Sequence, residues 1–156
     1  MMQKLMTLFK GLVAVLVLGF SCSAAAQGAD SRELDAAELK AKVVAITDAQ
    51  NKVMLKGSTQ ADVDTLFAMY HADFVYQHQV YGGEYSREKL YANTLRLQAM
   101  GKYNLTAPRY QIQSQIPGYN AVAVQRVEMQ QGVAHHHLAV FEFRGDKVSR
   151  IIEYWK

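Results

Sequence analysis

Cysteine is almost absent from this 156-residue chain, which contains only Cys22. Because we expect the segment that carries Cys22 to be removed, the mature protein would have no disulfide, no catalytic thiol and no cysteine-based metal site. It must then be stabilised by a hydrophobic core, and the roughly 130 remaining residues are enough for one domain of ordinary size. A glycine-rich phosphate loop and a Gly-x-Ser-x-Gly nucleophile turn are also missing.

An excess of charge of one sign is lacking as well. Of the 17 basic residues, Lys4 and Lys10 fall in the segment expected to be removed, so the others nearly balance the 14 acidic residues. No basic run or arginine-rich helix is present among them. Nucleic acid is therefore not an expected partner.

The N-terminal segment has the three parts of an export signal. Lys4 and Lys10 supply the positive charge, and residues 11–20 form an apolar stretch that is too short for a relaxed membrane span. Ala24-Ala25-Ala26 then provides an Ala-x-Ala cleavage pattern. These features predict a signal peptide over residues 1–26, cleaved near Gln27, and a periplasmic or secreted protein without a stable membrane anchor after cleavage.

Two alternatives to a cleaved signal remain at this stage. The segment could stay attached as an uncleaved anchor. Cys22 could instead carry a lipid, although the preceding Gly19-Phe20-Ser21 is a poor match to a lipidation site.

After the signal, the spacing of apolar residues changes from helical to strand-like. Residues 27–33 are small and polar and are expected to be flexible. Three helices are predicted, the first over residues 34–56, the second after the capping residue Thr59 and the third between Ser86 and Met100. Alternation predicts strands over residues 73–80, 109–116, 121–130, 134–143 and 148–155. The order α-α-β-α-β-β-β-β indicates one α+β domain over residues 34–156.

The end of the chain predicts a β-hairpin around the Gly145-Asp146 turn. Alternation divides the hairpin into two faces. One face carries Ala139, Phe141, Phe143, Ile151, Glu153 and Trp155. The other carries Leu138, Val140, Glu142, Val148, Arg150, Ile152 and Tyr154. Because both faces contain large apolar residues, periodicity alone does not show which one is buried.

This hairpin, together with the stretch LFAMYHADFVYQH at residues 66–78, resembles the nuclear transport factor 2-like superfamily, and within it the SnoaL-like and ketosteroid isomerase-like proteins. The resemblance covers roughly residues 40–156. It implies a cone-shaped α+β fold in which three N-terminal helices wrap a strongly curved, mixed or antiparallel sheet around a pocket. It also implies a homodimer formed through the outer sheet face, where Leu138, Val140 and Ile152 would lie.

Similarity to the ketosteroid isomerases implies that the face with Trp155 points into the pocket. We therefore expect a small-molecule ligand to contact Tyr76, Phe141, Phe143, Ile151 and Trp155. The same comparison places His78 where those isomerases have a general-base Asp, and Ala139 where they have an acid that binds the substrate oxygen. No Tyr occurs at residues 52–54, where their catalytic Tyr would fall, so the set of isomerase residues is not reproduced.

The candidate catalytic residues are His78, His137 and Glu153. An imidazole in an apolar cavity can exchange protons near neutral pH, and His137 and Glu153 could pair across the hairpin. Alternatively, His78 is a polar wall residue bonded to Gln or Tyr, and Glu153 faces water or pairs with a surface Arg. A further alternative is a metal held by His135 and His137, with His78 or Glu153 as third ligand, but no metal and no cofactor are expected.

These features predict an exported SnoaL-like protein that binds a small, largely apolar ligand in a central pocket. Cofactor-independent isomerisation, cyclisation or dehydration by proton transfer would fit such a site. The alternative is a non-catalytic module for ligand binding or protein interaction.

Overall fold

The structure, a computed structural model, describes residues 33–130 and 132–155. The predicted signal peptide, its cleavage site and most of the segment expected to be flexible lie outside the described residues. Within the described ranges, none of the helices combines the length and the apolar character needed to cross a membrane.

Three helices precede most of the strands, and each begins at a capping residue. They are α1 (Ala36–Met54), α2 (Gln60–Ala68) and α3 (Arg87–Ala99). The Asp35 carboxylate caps α1, and Thr59 with Asp62 forms the predicted capping box of α2. The hydroxyl of Ser86 caps α3, as predicted, by accepting from the backbone N–H of Lys89 at 3.3 Å. These caps fix where each helix starts and therefore which of its faces meets the sheet.

Within the described part of the chain, six strands form one open, curved sheet in the order β2-β1-β6-β5-β4-β3. Their bounds are β1 (Tyr70–His78), β2 (Glu84–Ser86), β3 (Tyr110–Gly118), β4 (Ala121–Gln130), β5 (Val133–Arg144) and β6 (Lys147–Tyr154). β1 and β6 are parallel, and the other neighbours are antiparallel. The predicted α+β class, with a curved mixed sheet and three helices, is confirmed.

Two local features differ from the predicted order. The short strand β2 was not predicted, because it has only three residues. Gly82 and Gly83, both at positive φ, turn the chain so that the residues of β2 pair with β1. Between the strands predicted over residues 109–116 and 121–130, Pro117-Gly118 is the pair that predicts a turn, but the turn lies further along the chain. Both residues belong to β3, and Asn120, at φ 45°, makes the turn.

The hydrophobic core lies between the helices and the sheet face that carries Ala139, Phe141 and Ile151, all fully buried. This is the face that similarity predicted to point inward. Burial of each large side chain contributes roughly 1.5–3 kcal/mol. On the opposite face Leu138 is 46% exposed and Tyr154 is 41% exposed.

Val148 is on the other face of the hairpin from the one predicted. A bulge between Glu142 and Phe143 pairs Phe143 with Val148, and Val148 is fully buried in the core. The extra residue reverses the alternation at the start of β6.

Candidate functional site

Two adjoining cavities lie alongside the sheet and share Tyr76 and Leu90 in their walls. The inner cavity has a volume of about 240 Å³ and contacts α1, α2 and α3, with Tyr70 and Glu153 among its lining residues. The outer cleft has a volume of about 750 Å³ and lies between α3, the β1–β2 connection and Trp155. Together they are large enough for a small organic molecule.

Glu153 is a buried carboxylate in the wall of the inner cavity. Arg126 donates to its Oε1, while the Tyr76 hydroxyl, at 2.9 Å, and Trp155 Nε1 donate to its Oε2. Burial alone would raise the pKa of Glu153, but the charge of Arg126 and the Trp155 and Tyr76 hydrogen bonds outweigh it, so the pKa is lowered. Glu153 is therefore ionised at neutral pH and positions its neighbours.

Arg126 is fully buried in β4. Besides Glu153, its guanidinium donates to Gln50 Oε1 of α1 at 2.9 Å, and it lies 4.0 Å from the ring centroid of Tyr110. A buried cation needs such partners, since leaving it unpaired would be costly. Arg126 therefore links α1 to strands β4 and β6 beside the inner cavity, through its hydrogen bonds to Gln50 and Glu153.

The tyrosines of the inner cavity are neutral phenols rather than anions. Burial raises the pKa of Tyr70 and of Tyr76 far above the ordinary value, and burial raises the pKa of Tyr110 to about 12. The cavity is thus lined by neutral phenols around one paired carboxylate.

His78, at the end of β1, lines the outer cleft and is only 6% exposed. Its Nδ1 accepts from the backbone N–H of Tyr81 at 3.3 Å, which assigns the proton of the neutral ring to Nε2. Nε2 is buried and has no hydrogen-bond partner among the described groups. The ring lies edge-on to Trp155, with centroids 4.6 Å apart. His78 thus brings an unpaired donor to the cleft.

His137 lies on the other side of Trp155 and stacks on it, with centroids 4.7 Å apart and an interplanar angle of 14°. Its Nε2 is 3.6 Å from Glu128 Oε2, which Arg109 also approaches. Burial, only partly offset by the charge of Glu128, lowers the pKa of His137. His137 is therefore a neutral, buried ring at neutral pH.

No protein-family model and no curated protein sequence matches the chain. Solved structures do match. A nuclear transport factor 2-like protein of unknown function from Burkholderia xenovorans is 19% identical, with a TM-score of 0.52, over 76% of this chain and 85% of that chain. A second such protein, from Pseudomonas aeruginosa, is 14% identical, with a TM-score of 0.58, over 76% of this chain and 98% of that chain. The chain has the nuclear transport factor 2-like fold.

An M. tuberculosis LEH-like epoxide hydrolase with the same fold is 19% identical, with a TM-score of 0.56, over 77% of this chain and 84% of that chain. The superfamily resemblance of the hairpin and residues 66–78 is confirmed at the level of the fold. Because the nuclear transport factor 2-like fold hosts different chemistries, function must be argued from this chain's own residues.

Within this nuclear transport factor 2-like fold, the predicted hydrogen bond between His137 and Glu153 is not formed. The acceptor positions of Glu153 are taken by Arg126, Tyr76 and Trp155. The carboxylate that approaches His137 is Glu128 of β4, because the register sets Arg126 opposite His137 and leaves Glu128 diagonal to it. That part of the prediction was wrong, whereas the catalytic roles of His78, His137 and Glu153 stay predictions.

The predicted ligand-contact residues divide into two groups. Tyr76 and Trp155 line the cavities. Phe141, Phe143 and Ile151 lie in the hydrophobic core and are not among the residues that line either cavity.

A metal held by His135 and His137 finds no geometric support. The described residues contain no group of three or more His, Cys, Asp or Glu side chains placed to hold a metal ion. His135 is half-buried and His136 exposed, on opposite faces of β5.

The sequence interpretation missed Arg126, Gln50 and the polar face of α3. Arg126 was missed because an Arg among apolar strand residues is usually expected to face solvent. Gln50 was missed because it is 76 residues away from Arg126, the residue it contacts. A usable signal was the parity of β4, which places Arg126 on the same face as Val122 and Val124, both fully buried.

Proposed function

We propose that this protein is an exported binding protein that holds a small, largely apolar molecule in the two adjoining cavities. The observation that carries the proposal is the buried, unpartnered Nε2 of His78 in the wall of the outer cleft. An unpaired buried donor costs about 1–3 kcal/mol. A ligand carbonyl or ether oxygen that accepts from Nε2 would remove this cost.

The rest of the lining indicates what the body of the ligand would be. Tyr81, Tyr85 and Trp155 present aromatic surfaces to the outer cleft, and Leu90 adds aliphatic surface. Flat apolar molecules gain from stacking on such rings. The neutral phenols of the inner cavity would then bind the few polar atoms of such a ligand.

Binding is favoured over general-base catalysis by the hydrogen bond at Nδ1. A base at Nε2 would need the opposite tautomer, in which Nδ1–H would face the N–H of Tyr81. With Nδ1 accepting from Tyr81, Nε2 carries the ring proton, so it can donate to a ligand but cannot take a proton from one.

The binding test uses titration calorimetry with neutral polycyclic ketones and matched carboxylic acids. We expect His78→Ala to weaken binding about tenfold, as loss of one buried hydrogen bond implies. His136→Ala, on the exposed face of β5, is the control and should bind like the wild type. Absence of binding to the whole panel, with the fold intact by circular dichroism, would contradict the proposal.

Proton-transfer catalysis is the second candidate function. It is favoured by the two imidazoles of His78 and His137 on either side of Trp155, next to the cleft. If His78 transfers a proton after the Tyr81 contact opens, His78→Gln should slow turnover of an enolisable ketone by roughly two to four orders of magnitude. Equal rates in wild type and variant would leave binding as the function.

Export and self-association complete the proposal. The signal segment supports cleavage near Gln27, which N-terminal sequencing of the protein from its native compartment would check. A sequence starting at Met1 would contradict it.

The exposed apolar residues Leu138 and Tyr154 on the outer sheet face support a homodimer through that face.

A further inference from the structure

The outer cleft carries positive charge on one wall. Lys89 and Arg96 both line it, and seven residues, or about two turns, separate them on α3, so they lie on one helix face. No Asp or Glu is among the residues that line the cleft. Glu84, which precedes the cleft residue Tyr85 on β2, has the opposite strand parity.

Neither cation is neutralised by a carboxylate within residues 33–130 and 132–155. Lys89 Nζ lies 5.3 Å from the ring centroid of Tyr85. Arg96 donates to Asn93 Oδ1 at 2.8 Å and approaches Met100 Sδ at 3.2 Å. By contrast, Arg109, Arg126 and Arg144 each contact a carboxylate. The cleft therefore retains two unpaired charges of one sign.

The opposite wall independently indicates a ligand that accepts hydrogen bonds. The ring of His78 is 94% buried there, since only 6% of the residue is exposed, and its Nε2 has no partner among the described groups. The cleft thus has two cations on α3 and, at His78, a buried donor that a ligand oxygen reaches by displacing the atoms that cover it. The aromatic side chains of Tyr81, Tyr85 and Trp155 also line the cleft. Such a cleft suits a flat molecule that carries negative charge at one end and an oxygen acceptor elsewhere.

We propose that the outer cleft binds an aromatic or polycyclic carboxylate, with the carboxylate at Lys89 and Arg96 and the ring system on the aromatic wall. This inference rests on the proposed binding function and names the ligand class. A second oxygen of the ligand, where present, accepts from His78 Nε2. Exposed cations attract such an anion in a salt-dependent way.

The test compares 2-naphthoate with methyl 2-naphthoate, which share a ring system and differ in charge. Titration calorimetry gives both dissociation constants. Fluorescence of Trp155, the only tryptophan in the chain, reports occupancy of the cleft itself. The variant is Lys89→Gln/Arg96→Gln, and the control is Lys102→Gln/Lys147→Gln, which removes the same charge outside the cleft.

We expect the wild type to bind 2-naphthoate about fivefold more tightly than its ester, because contacts with two exposed cations each contribute modestly. The cleft variant should lose this preference, and the control should keep it. Raising the salt concentration should weaken only the binding of the acid.

Equal affinity for acid and ester, or equal loss in the cleft and control variants, would overturn the carboxylate assignment while leaving the binding function intact. Binding of neutral ketones without binding of 2-naphthoate would do the same. If no compound of either class binds, the proposed function fails together with this inference.

Discussion

Arg126 and Glu153 form an ion pair that is closed to solvent on both sides, at the point where α1, β4 and β6 meet. The pair keeps Glu153 ionised, and the ionised carboxylate orients Tyr76 and Trp155, which line the cavities. Two side chains of the site are therefore held in place by a carboxylate that is itself paired with a buried cation. This arrangement makes several quantitative expectations possible.

Breaking the pair from one side should destabilise the fold strongly. Arg126→Met leaves the Glu153 charge buried and uncompensated, which typically costs about 3–5 kcal/mol. The double variant Arg126→Met/Glu153→Gln removes that charge while the amide oxygen still accepts from Tyr76 and Trp155. Urea denaturation should show the double variant to be more stable than Arg126→Met alone. If the losses in free energy of unfolding caused by Arg126→Met and Glu153→Gln simply add up in the double variant, the pair is not coupled as described.

His137 should make stability depend on pH below about 6.5. Its pKa is lowered by burial from the ordinary value of 6.5, so below that pH the unfolded chain binds more protons than the folded one. Stability is therefore complete above pH 6.5 and falls as the pH drops, by at most about 1.4 kcal/mol per pH unit. Glu153, whose pKa is lowered from 4.5, adds its own loss at lower pH.

Denaturation at pH 7.5 and 5.5 checks this expectation. His137→Gln should reduce the loss between the two pH values, whereas Lys40→Gln, at an exposed position of α1 away from the outer sheet face, should keep it. A wild-type stability that rises on acidification in this range would contradict the assignment.

The orientation of α1 can be tested at two adjacent valines. Val43 is fully buried and Val44 is 41% exposed. Val43→Ala should cost about 2 kcal/mol through lost burial and a residual cavity, whereas Val44→Ala should stay within about 0.5 kcal/mol. Chemical denaturation of both variants measures the difference, and similar costs would mean that the helix is rotated from the described position.

If the protein forms a homodimer through the outer sheet face, a charge placed on that face should break the dimer. Leu138→Lys places a cation in the middle of that face and should convert a dimer to a monomer in sedimentation velocity. Val44→Lys, on an exposed position of α1, should leave the dimer unchanged. A wild type that sediments as a monomer at all concentrations would rule out the proposed homodimer.

Much of this fold could be predicted from local patterns, because capping residues and alternation act over a few neighbours. Thr59 and Asp62 form their predicted box, and the alternating strands of the terminal hairpin pair as expected. Local patterns do not show a bulge, which is why Val148 was assigned to the wrong face. Nor do they show a turn made by Asn120 when Pro and Gly stand just before it.

The site was harder to predict, since its contacts join distant parts of the chain. Parity placed Glu153 on the face of Trp155, and similarity to the ketosteroid isomerases correctly turned that face inward. Its partner Arg126, however, is 27 residues away and on a non-adjacent strand. Similarly, the partner of His137 depends on the β4–β5 register, which sequence alone does not fix. The sequence also did not show that Lys89 and Arg96 of α3 line the same cleft as the aromatic side chains, because that proximity depends on the tertiary fold.

The position of β6 has a consequence for the order of synthesis. Of the described strands it is made last, yet it lies between β1 and β5 rather than at an edge. Until β6 emerges, β1 and β2 have no strand that connects them to β3, β4 and β5, so the nascent chain cannot complete its sheet. We expect chains that end before Lys147 to be digested rapidly by protease, whereas the full chain resists. Such late completion of the sheet would be compatible with the proposed export, since a chain that is still unfolded can be threaded through a narrow channel.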